Sequence, residues 1–291
     1  MPKSLNKYIF RQFSKSGLKQ KEIELAGYKI NYWDSEENKP VLILIHGFGA
    51  STEFQWYQQV QELSVNYRLI LPNLLYFGKS NSNPKVYAIK NQVEALQLLL
   101  DTLHVDKFNA CGVSYGGLVA AELGLQNSGR LEKLVLVDSP VKYFSDKDET
   151  IAKSEFNVSS LEELLIPNQY KGLKKLLAVA YHKPPFVPNF ILKEMFYSMY
   201  NLQVEDKKEL LKSLNSTRDL YANQNYFFHI PVLLVWGEAD KLIPLHIGKE
   251  LQQHIGTTAR LEVMPNCAHM PALENPKLFN KILINFLGKK N

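Results

Sequence analysis

Ser114 is the residue whose surroundings point most directly to chemistry. It stands at the centre of Gly112-Val113-Ser114-Tyr115-Gly116, a Gly-x-Ser-x-Gly pattern. Residues 107–111 have the pattern of a short buried strand, and residues 117–125 have that of a small-residue helix. A serine on such a strand-to-helix turn presents its hydroxyl as a nucleophile, and the two glycines relieve the crowding of strand against helix. The pattern predicts a nucleophile elbow, with the backbone N–H of Tyr115 directed toward the substrate.

The composition sets the class of protein in which this elbow works. With 291 residues and 45% hydrophobic content, the chain is long enough for one large α/β domain or a domain with an insertion. Cys111 and Cys267 do not make a disulfide framework, so we expect two buried thiols, a reducing compartment and a cytoplasmic location. The sequence has no signal-peptide core and no apolar run that could cross a bilayer. It also has no metal-ligand spacing and no phosphate-binding loop, so we expect neither a metal nor a cofactor.

The formal charge of +5 arises at the N-terminus. Six Lys and Arg residues precede Glu22, the first acidic residue, so the remainder of the chain carries a formal charge of −1. A nucleic-acid groove needs basic residues concentrated on the folded body and interleaved with stacking aromatics. The sequence therefore predicts a small-molecule substrate and no nucleic-acid partner, and it leaves the oligomeric state open.

Residues 3–15 predict an amphipathic helix. At about 100° per residue, one side of this helix collects apolar residues and the other collects basic residues. The apolar side is Leu5, Tyr8, Ile9 and Phe13, and the basic side is Lys3, Lys7, Arg11 and Lys15. Two interpretations remain open: the helix docks peripherally and reversibly on an anionic membrane surface, or it covers an apolar patch on its own body or on a second subunit.

Continuous apolar runs alternate with helical periodicity along most of the chain. The runs have the character of strands covered on both faces, at residues 41–45, 68–71, 108–113, 134–137, 232–235 and 261–263. Residues 21–32 predict an antiparallel hairpin at a sheet edge. The alternation predicts an α/β fold with a mostly parallel central sheet and helices on both faces. Between residues 140 and 228 only helical patterns occur. We therefore expect three parts: a basic amphipathic segment 1–20, a core of 21–140 and 228–291, and an inserted helical cap of 141–227.

Three further motifs accompany the elbow. They are His46-Gly47-Phe48-Gly49, Trp236-Gly237-Glu238-Ala239-Asp240 with Pro244, and Asn266-Cys267-Ala268-His269. In this order the four motifs resemble those of the α/β-hydrolase fold family, over nearly the whole chain outside its first twenty residues. One departure is Asn73, which stands where such proteins commonly carry the Asp of Asp-Leu-Pro-Gly-x-Gly-x-Ser. The usual turn geometry of that loop is therefore not expected here.

The resemblance implies a catalytic triad of Ser114, Asp240 and His269, in the family's order of nucleophile, acid and base. A serine hydroxyl is unreactive at neutral pH unless a base takes its proton, and an acid must orient that base. The resemblance also implies an oxyanion hole formed by the backbone N–H groups of Phe48 and Tyr115.

Other residues compete for these roles. Glu238 lies two residues from Asp240, and Asp138 ends an earlier strand, where a few relatives place their acid. We favour Asp240 because the Gly-x-x-Asp-x-x-x-Pro pattern aligns it. We interpret His46 as a residue that hydrogen-bonds locally and shapes the oxyanion loop, and Cys267 as a packing residue.

The nucleophile and its neighbouring motifs separate the reactions that this fold supports. Haloalkane dehalogenases and epoxide hydrolases carry aspartate at the elbow, so Ser114 argues against both. Meta-cleavage carbon–carbon bond hydrolases keep serine but typically have Gly-Pro-Gly in the oxyanion loop, Trp after the catalytic histidine and a cap arginine. Here Met270 follows His269, and Arg218 is the only arginine of the cap. We therefore favour a serine esterase or lipase. The alternatives are a carbon–carbon bond hydrolase and a triad-bearing small-molecule receptor with slow turnover.

The cap is rich in Phe, Met, Tyr and Leu. In this it resembles the lid of monoacylglycerol-lipase-like hydrolases, and we expect an apolar slot above Ser114 that admits a medium or long acyl chain. We predict Phe186, Phe190, Met195 and Met270 as substrate-binding residues. We expect at least half of the apolar side chains of the cap only to pack it onto the core.

Overall fold

The computed structural model describes residues 3–49 and 51–288. Residues 1, 2, 50 and 289–291 belong to the predicted N-terminal segment and core and lie outside the described residues. The side chain of Lys3, predicted for the basic side of the first helix, also lies outside them.

The described residues form one central sheet. Its hydrogen-bonded order is β1-β2-β4-β3-β6-β7-β8-β9, with β5 paired to β2. The pairs from β4 across β3 to β9 are parallel, and the pairs made by β2 are antiparallel. The strands are β1 Lys19–Leu25, β2 Tyr28–Asp34, β3 Val41–Ile45, β4 Arg68–Pro72, β5 Asn81–Ser82, β6 Phe108–Val113, β7 Leu131–Val137, β8 Val232–Gly237 and β9 Ala259–Met264.

Helices cover both faces of the sheet and fill the segment between β7 and β8. Outside that segment they are α1 Lys3–Lys15, α2 Thr52–Trp56, α3 Val60–Leu63, α4 Ile89–Thr102, α5 Tyr115–Gln126, α12 Leu245–Ile255, α13 Pro271–Glu274 and α14 Pro276–Leu287. Between β7 and β8 lie α6 Asp146–Glu155, α7 Leu161–Leu165, α8 Leu173–Ala180, α9 Asn189–Met195, α10 Val204–Ser216 and α11 Arg218–Asn223. A 3-10 turn at Tyr170–Gly172 and a π-helical turn at Phe196–Tyr200 complete this segment.

The strand β3 shows why a continuous apolar run forms the middle of this sheet. All five of its residues are buried. Val41, Ile43 and Ile45 belong to one apolar cluster, while Leu42 and Leu44 belong to the cluster on the other face. Because successive side chains of a strand point to opposite faces, a strand covered on both faces is apolar at every position. The predicted α/β fold with its mostly parallel sheet is confirmed.

The loop after β4 uses the departure at Asn73. The Oδ1 atom of Asn73 accepts a hydrogen bond from the N–H of Thr52 at 3.0 Å, and its Nδ2 donates to Oδ1 of Asn31 at 3.0 Å. An aspartate would have no N–H to donate to Asn31. Asn73 therefore joins β2 to α2, which follows the loop predicted to hold the oxyanion donor Phe48.

We call residues 141–227 the cap. It contains helices and no strand, and all of its residues are described. A small apolar cluster of Leu173, Leu192, Met195, Phe196 and Tyr200 lies within it, separate from the two clusters on the sheet. Ion pairs join it to its surroundings, as between Lys241 of the core and Glu155 of the cap.

The first helix, α1, packs on its own body. Ile9 and Phe13 are fully buried in the apolar cluster that contains Leu42 and Leu44 of β3. The ring centroids of Phe13 and Trp33 lie 4.9 Å apart. Tyr8 is 50% exposed, and Lys7, Arg11 and Lys15 are exposed. Leu5 is partly buried against the same cluster. The structure thus supports the second interpretation for three of the four residues of the apolar side, and contact with an anionic membrane stays a prediction. Within residues 3–49 and 51–288, no helix combines the length and the apolar character needed to cross a membrane.

Candidate active site

The strand β6 and the helix α5 place Ser114 on a sharp turn. Ser114 has φ of 52° and ψ of −122°, in a region that a residue with a side chain rarely adopts. A Cβ atom at Gly112 would lie 2.2 Å from the carbonyl oxygen of Gly116, and one at Gly116 would lie 2.2 Å from that of His46. Both positions therefore exclude any residue larger than glycine. This strained turn, held by its surroundings, is the local geometry that the Gly-x-Ser-x-Gly pattern predicts.

Ser114, His269 and Asp240 form one chain of hydrogen bonds. The Ser114 Oγ lies 2.9 Å from Nε2 of His269, and Nδ1 of His269 lies 2.7 Å from Oδ2 of Asp240. The other carboxylate oxygen of Asp240 accepts from the N–H groups of Leu242 and Ile243, at 2.8 and 3.0 Å. With the carboxylate held in this way, Nδ1 carries the proton, and Nε2 is left free to accept the proton of the serine.

The two alternative acids lie elsewhere. Glu238 is exposed, and its Oε2 accepts from the backbone N–H of Asn266. Asp138 is fully buried and accepts from the N–H of Gly237 through Oδ1, while its Oδ2 has no partner among the described residues. Burial, and then the negative charge of Asp240, hold the pKa of Asp138 well above its usual range. Of the three candidates, only Asp240 hydrogen-bonds to His269.

His46 shapes the loop that faces the elbow. It is fully buried, its Nδ1 donates to the carbonyl oxygen of Gly47 at 2.8 Å, and its Nε2 accepts from the N–H of Leu74 at 3.0 Å. Burial lowers the pKa of His46 to about 4, so the imidazole is neutral, as an accepting Nε2 requires. The local role predicted for His46 agrees with these contacts.

The predicted oxyanion donors border the same space. Tyr115 is the first residue of α5, so its N–H has no acceptor within the helix. A Cβ atom at Gly47 would lie 3.4 Å from Cβ of Ser114, which places the backbone before Phe48 against the elbow. The rings of Phe48 and Tyr115 are in edge contact, with centroids 5.7 Å apart. Their role as oxyanion donors stays a prediction that this arrangement permits.

Two apolar chambers meet at Ser114. Phe48, Ser114, Leu165 and Leu242 line both of them. We call the first the histidine-side chamber, which holds about 730 Å³ free of protein atoms, its open mouth included. Its other lining residues are Gly47, Gly49, Phe54, Gln55, Leu173, Leu176, Leu177, Val179, Ala180, Tyr181, Leu192, Met195, Tyr200, His269, Met270 and Leu273.

The second, which we call the elbow-side chamber, holds about 810 Å³ in the same sense. Its other lining residues are Tyr115, Leu118, Pro140, Val141, Lys142, Tyr143, Phe144, Leu161, Leu211, Leu214, Asn215, Arg218, Tyr221, Ala222 and Ile243.

The structure divides the four predicted substrate-binding residues into two pairs. Met195 and Met270 line the histidine-side chamber. Phe186 and Phe190 line neither chamber and are 92% and 70% exposed. Their prediction is corrected: Phe186 lies in the irregular segment before α9, and Phe190 lies in the first turn of α9 on its outer face, whereas Leu192 and Met195 occupy the buried face.

Sequence reasoning missed two features of the site. Gln55 on α2 lines the histidine-side chamber, is fully buried, and has no partner for either atom of its amide among the described residues. Nothing in the sequence distinguished it from the neighbouring Gln58 and Gln59. The elbow-side chamber was also missed, although its residues 140–144 follow β7, and ligands of parallel sheets bind beyond the carboxyl ends of strands.

The one arginine of the cap is already neutralised. Arg218 donates to Oδ1 of Asp146 at 2.7 Å and to Glu149, and its guanidinium lies 5.6 Å from the ring centre of Phe144. Although Arg218 lines the elbow-side chamber, two carboxylates hold its charge. In the described part of the chain, no group of three or more His, Cys, Asp and Glu side chains is arranged to hold a metal ion.

Comparison with known proteins gives relatives with more than one activity. The chain is 27% identical over 282 residues to Lipase 3 of Moraxella sp. strain TA144, covering 93% of this chain and 85% of that one. It is 28% identical over 278 residues to the 2-hydroxymuconate semialdehyde hydrolase of Pseudomonas putida, covering 92% and 94%.

Among solved structures, the fold is similar to that of a membrane phospholipase A described as a bacterial virulence factor. The TM-score is 0.83 at 22% identity, and the match covers 98% of this chain and 90% of that one. Residues 40–276 match the sequence profile of the α/β hydrolase fold. This match spans the sheet from β3 onward, the elbow, the cap and both partners of Ser114, and the chain therefore belongs to the α/β-hydrolase fold family.

Proposed function

We propose that the protein hydrolyses carboxylic esters, with Ser114 as the nucleophile and an acyl-enzyme as the intermediate. The observation that carries the proposal is the unbroken hydrogen-bond chain from Ser114 through His269 to Asp240 on a strained elbow. The family and its lipase and esterase relatives are consistent with this reaction.

In the first half of the reaction, Oγ of Ser114 attacks the carbonyl carbon of the ester while Nε2 of His269 takes its proton. The imidazolium is stabilised by Asp240 through Nδ1. The negative charge that develops on the carbonyl oxygen is met by the N–H groups of Phe48 and Tyr115, each of which typically contributes about two to three orders of magnitude in rate. The carbon–oxygen bond to the alcohol then breaks, and the alcohol leaves with the proton from Nε2.

The second half of the reaction repeats these steps with water. His269 takes a proton from a water molecule, whose oxygen attacks the acyl carbon, and the released Oγ of Ser114 recovers the proton. Burial of Asp240 and His269 keeps this proton transfer away from bulk solvent. The products are a carboxylic acid and an alcohol.

The environment of Arg218 favours an ester over a carbon–carbon bond substrate. A substrate that carries a carboxylate would have to compete with Asp146 and Glu149 for the guanidinium. The lining of the histidine-side chamber is mainly apolar, and that of the elbow-side chamber beyond the nucleophile is apolar apart from Lys142, Asn215, Arg218 and three tyrosines, which suits a medium or long acyl chain.

The test is the hydrolysis of p-nitrophenyl esters across acyl lengths, before and after treatment with a serine-directed phosphonate. We expect catalytic efficiency to rise from acetate toward octanoate, and one phosphonate adduct on the peptide that contains Ser114. An adduct elsewhere would contradict the assignment of the nucleophile, and a peak at acetate would contradict the long acyl chain.

Two control measurements separate the alternative functions. Faster cleavage of a meta-cleavage dienoate than of any ester would favour the carbon–carbon bond hydrolase. Stoichiometric labelling followed by very slow product release would favour the receptor.

A further inference from the structure

The two chambers extend from the nucleophile in different directions. Their shared boundary consists of Phe48, Ser114, Leu165 and Leu242, and beyond it they have no lining residue in common. The carbonyl carbon of an ester bears two arms, one acyl and one alkoxy. A carbonyl bound at Ser114 therefore has a separate chamber available for each arm.

The position of His269 determines which arm enters which chamber. The leaving alcohol oxygen must take its proton from Nε2 of His269, so it must lie within hydrogen-bond reach of that atom. His269 and the following Met270 line the histidine-side chamber and not the elbow-side chamber. The alcohol arm thus belongs in the histidine-side chamber, and the acyl arm extends past Tyr115 and Leu118 into the elbow-side chamber.

The histidine-side chamber is apolar along its length. Cap residues of α8 and α9 form its far wall, and they are Leu173, Leu176, Leu177, Val179, Leu192 and Met195. None of the described residues that line this chamber is Lys, Arg, Asp or Glu. Burial raises the pKa values of Tyr181 and Tyr200, so both remain neutral phenols. Beyond the reacting groups, a polyol placed here could pair only with the hydroxyls of Tyr181 and Tyr200 and the amide of Gln55 among the side chains of the described lining residues. Each of its hydroxyls left unpaired would cost about 1–3 kcal/mol.

The amide of Gln55, which has no partner among the described residues, lies at the reacting end of this chamber. Its Oε1 is 3.9 Å from the position that a Cβ atom would take at Gly47, and that same position is 3.4 Å from Cβ of Ser114. A fully buried amide without partners can hydrogen-bond to a bound ligand. The amide of Gln55 therefore adds a polar group beside the ester, and the wall beyond it is mainly aliphatic apart from the hydroxyls of Tyr181 and Tyr200.

We propose that both arms of the substrate are apolar: the enzyme cleaves esters of a hydrophobic acid with a hydrophobic alcohol, and the alcohol occupies the histidine-side chamber. This inference rests on the proposed ester hydrolysis. It distinguishes the substrate from an ester of a polyol such as glycerol.

Two matched ester series test the proposal on the full chain. One keeps an octanoyl group and varies the alcohol through methyl, butyl, octyl and 2,3-dihydroxypropyl, and the other keeps octanol and varies the acid from acetyl to decanoyl. We expect kcat/KM to rise by about tenfold or more from the methyl to the octyl ester, and the dihydroxypropyl ester to fall below the butyl ester. Equal or better cleavage of the dihydroxypropyl ester would overturn the proposal.

A pair of half-buried leucines assigns each arm to its chamber. Leu176→Trp on α8 narrows the histidine-side chamber, and Leu214→Trp on α10 narrows the elbow-side chamber. We expect Leu176→Trp to abolish the gain from a longer alcohol while the acyl-length profile is kept, and Leu214→Trp to do the reverse. If Leu176→Trp instead changed the acyl-length profile and Leu214→Trp changed the alcohol-length profile, the assignment of the chambers would be overturned.

If either tryptophan variant fails to fold, Leu176→Phe and Leu214→Phe give the same comparison with a smaller side chain. Failure of the proposed function has a different result. In that case the wild type cleaves no ester of either series and Ser114 is not labelled by the phosphonate.

Discussion

The edge of the sheet at the carboxyl ends of its parallel strands, which we call the sheet edge, and the cap both contribute to the site. They do so under opposite steric constraints. At the sheet edge, the backbone leaves no room for a Cβ atom at Gly112 or Gly116, and Ser114 is held in a strained conformation. In the cap, a large side chain such as Phe186 is 92% exposed. The groups proposed to react thus lie where the fold permits one arrangement, whereas the cap combines buried chamber walls, such as Met195, with exposed residues that should tolerate change. We expect substitutions of Ser114, His269 and Asp240 to remove most of the activity, and substitutions of the cap residues that line the chambers to change the choice of substrate.

The largest effect should follow loss of the nucleophile or the base. Ser114→Ala or His269→Ala should lower kcat by about 10⁶, as in serine hydrolases in which these groups act as a unit. Ser114→Ala should unfold at nearly the wild-type temperature, because it removes a single oxygen atom. His269→Ala should unfold at a lower temperature, because it removes a buried ring and leaves Asp240 without that partner. Stopped assays with p-nitrophenyl octanoate measure the rate. A Ser114→Ala enzyme within tenfold of the wild type would show that the sheet edge does not hold the chemistry.

A smaller effect should separate the two aspartates of the sheet edge. Asp240→Asn removes the carboxylate that orients His269 and should lower kcat by about 10⁴. Asp138→Asn is the matched control, because Asn keeps an oxygen for the N–H of Gly237 and Asp138 makes no hydrogen bond to His269 among the described residues. It should stay within about tenfold of the wild-type kcat. Equal losses in the two variants would mean that Asp138 takes part in orienting the base.

The sequence predicted the sheet edge better than the cap, for a physical reason. At Gly112 and Gly116 a sterically crowded turn permits one residue type, so the motif specifies the geometry. The strand β3 is apolar at every position because both its faces are covered. Periodicity in a helix shows only which residues share a face, and says nothing of what that face contacts. Hence the sequence placed Phe13 on the apolar side of a helix without showing what that side contacts. It also did not show that Phe190 lies on the outer face of α9.

The helix α1 extends the comparison, because it has an amphipathic pattern but is packed like the core. Phe13→Ala should lower the free energy of unfolding by about 3–5 kcal/mol, since the ring is fully buried against Trp33. Phe10→Ala, at a position 38% exposed, is the control and should cost much less. Urea denaturation of both variants gives these energies. Co-sedimentation with acidic liposomes would reveal a role in docking, and liposome binding with no loss of stability in Phe13→Ala would contradict the packing role.

The buried histidine of the sheet edge should make stability depend on pH. An unfolded His46 has a pKa near 6.5, while burial lowers the folded pKa to about 4. Above pH 6.5 both states are neutral, and His46 does not change stability with pH. As pH falls from 6.5 to 4, only the unfolded state gains a proton, so stability should fall by about 3 kcal/mol through this group. The contribution of His46 is isolated by measuring the unfolding free energies of the wild type and of His46→Gln from pH 7.5 to 4. A difference between the two proteins that stays constant with pH would contradict the prediction.

The smallest effect should come from the exposed aromatic residues of the cap. Phe186→Ser and Phe190→Ser should change the free energy of unfolding by less than about 0.5 kcal/mol, because neither ring is removed from water on folding. They should leave kcat/KM for soluble esters within about twofold, since neither residue lines a chamber.

Met195→Ala is the contrasting variant on the buried face of the same helix α9. It should cost about 2–5 kcal/mol of stability and alter the preference for the alcohol arm. If Phe186→Ser reduced kcat/KM as much as Met195→Ala does, the exposed segment would close over the substrate during turnover, and the cap would be as constrained as the sheet edge.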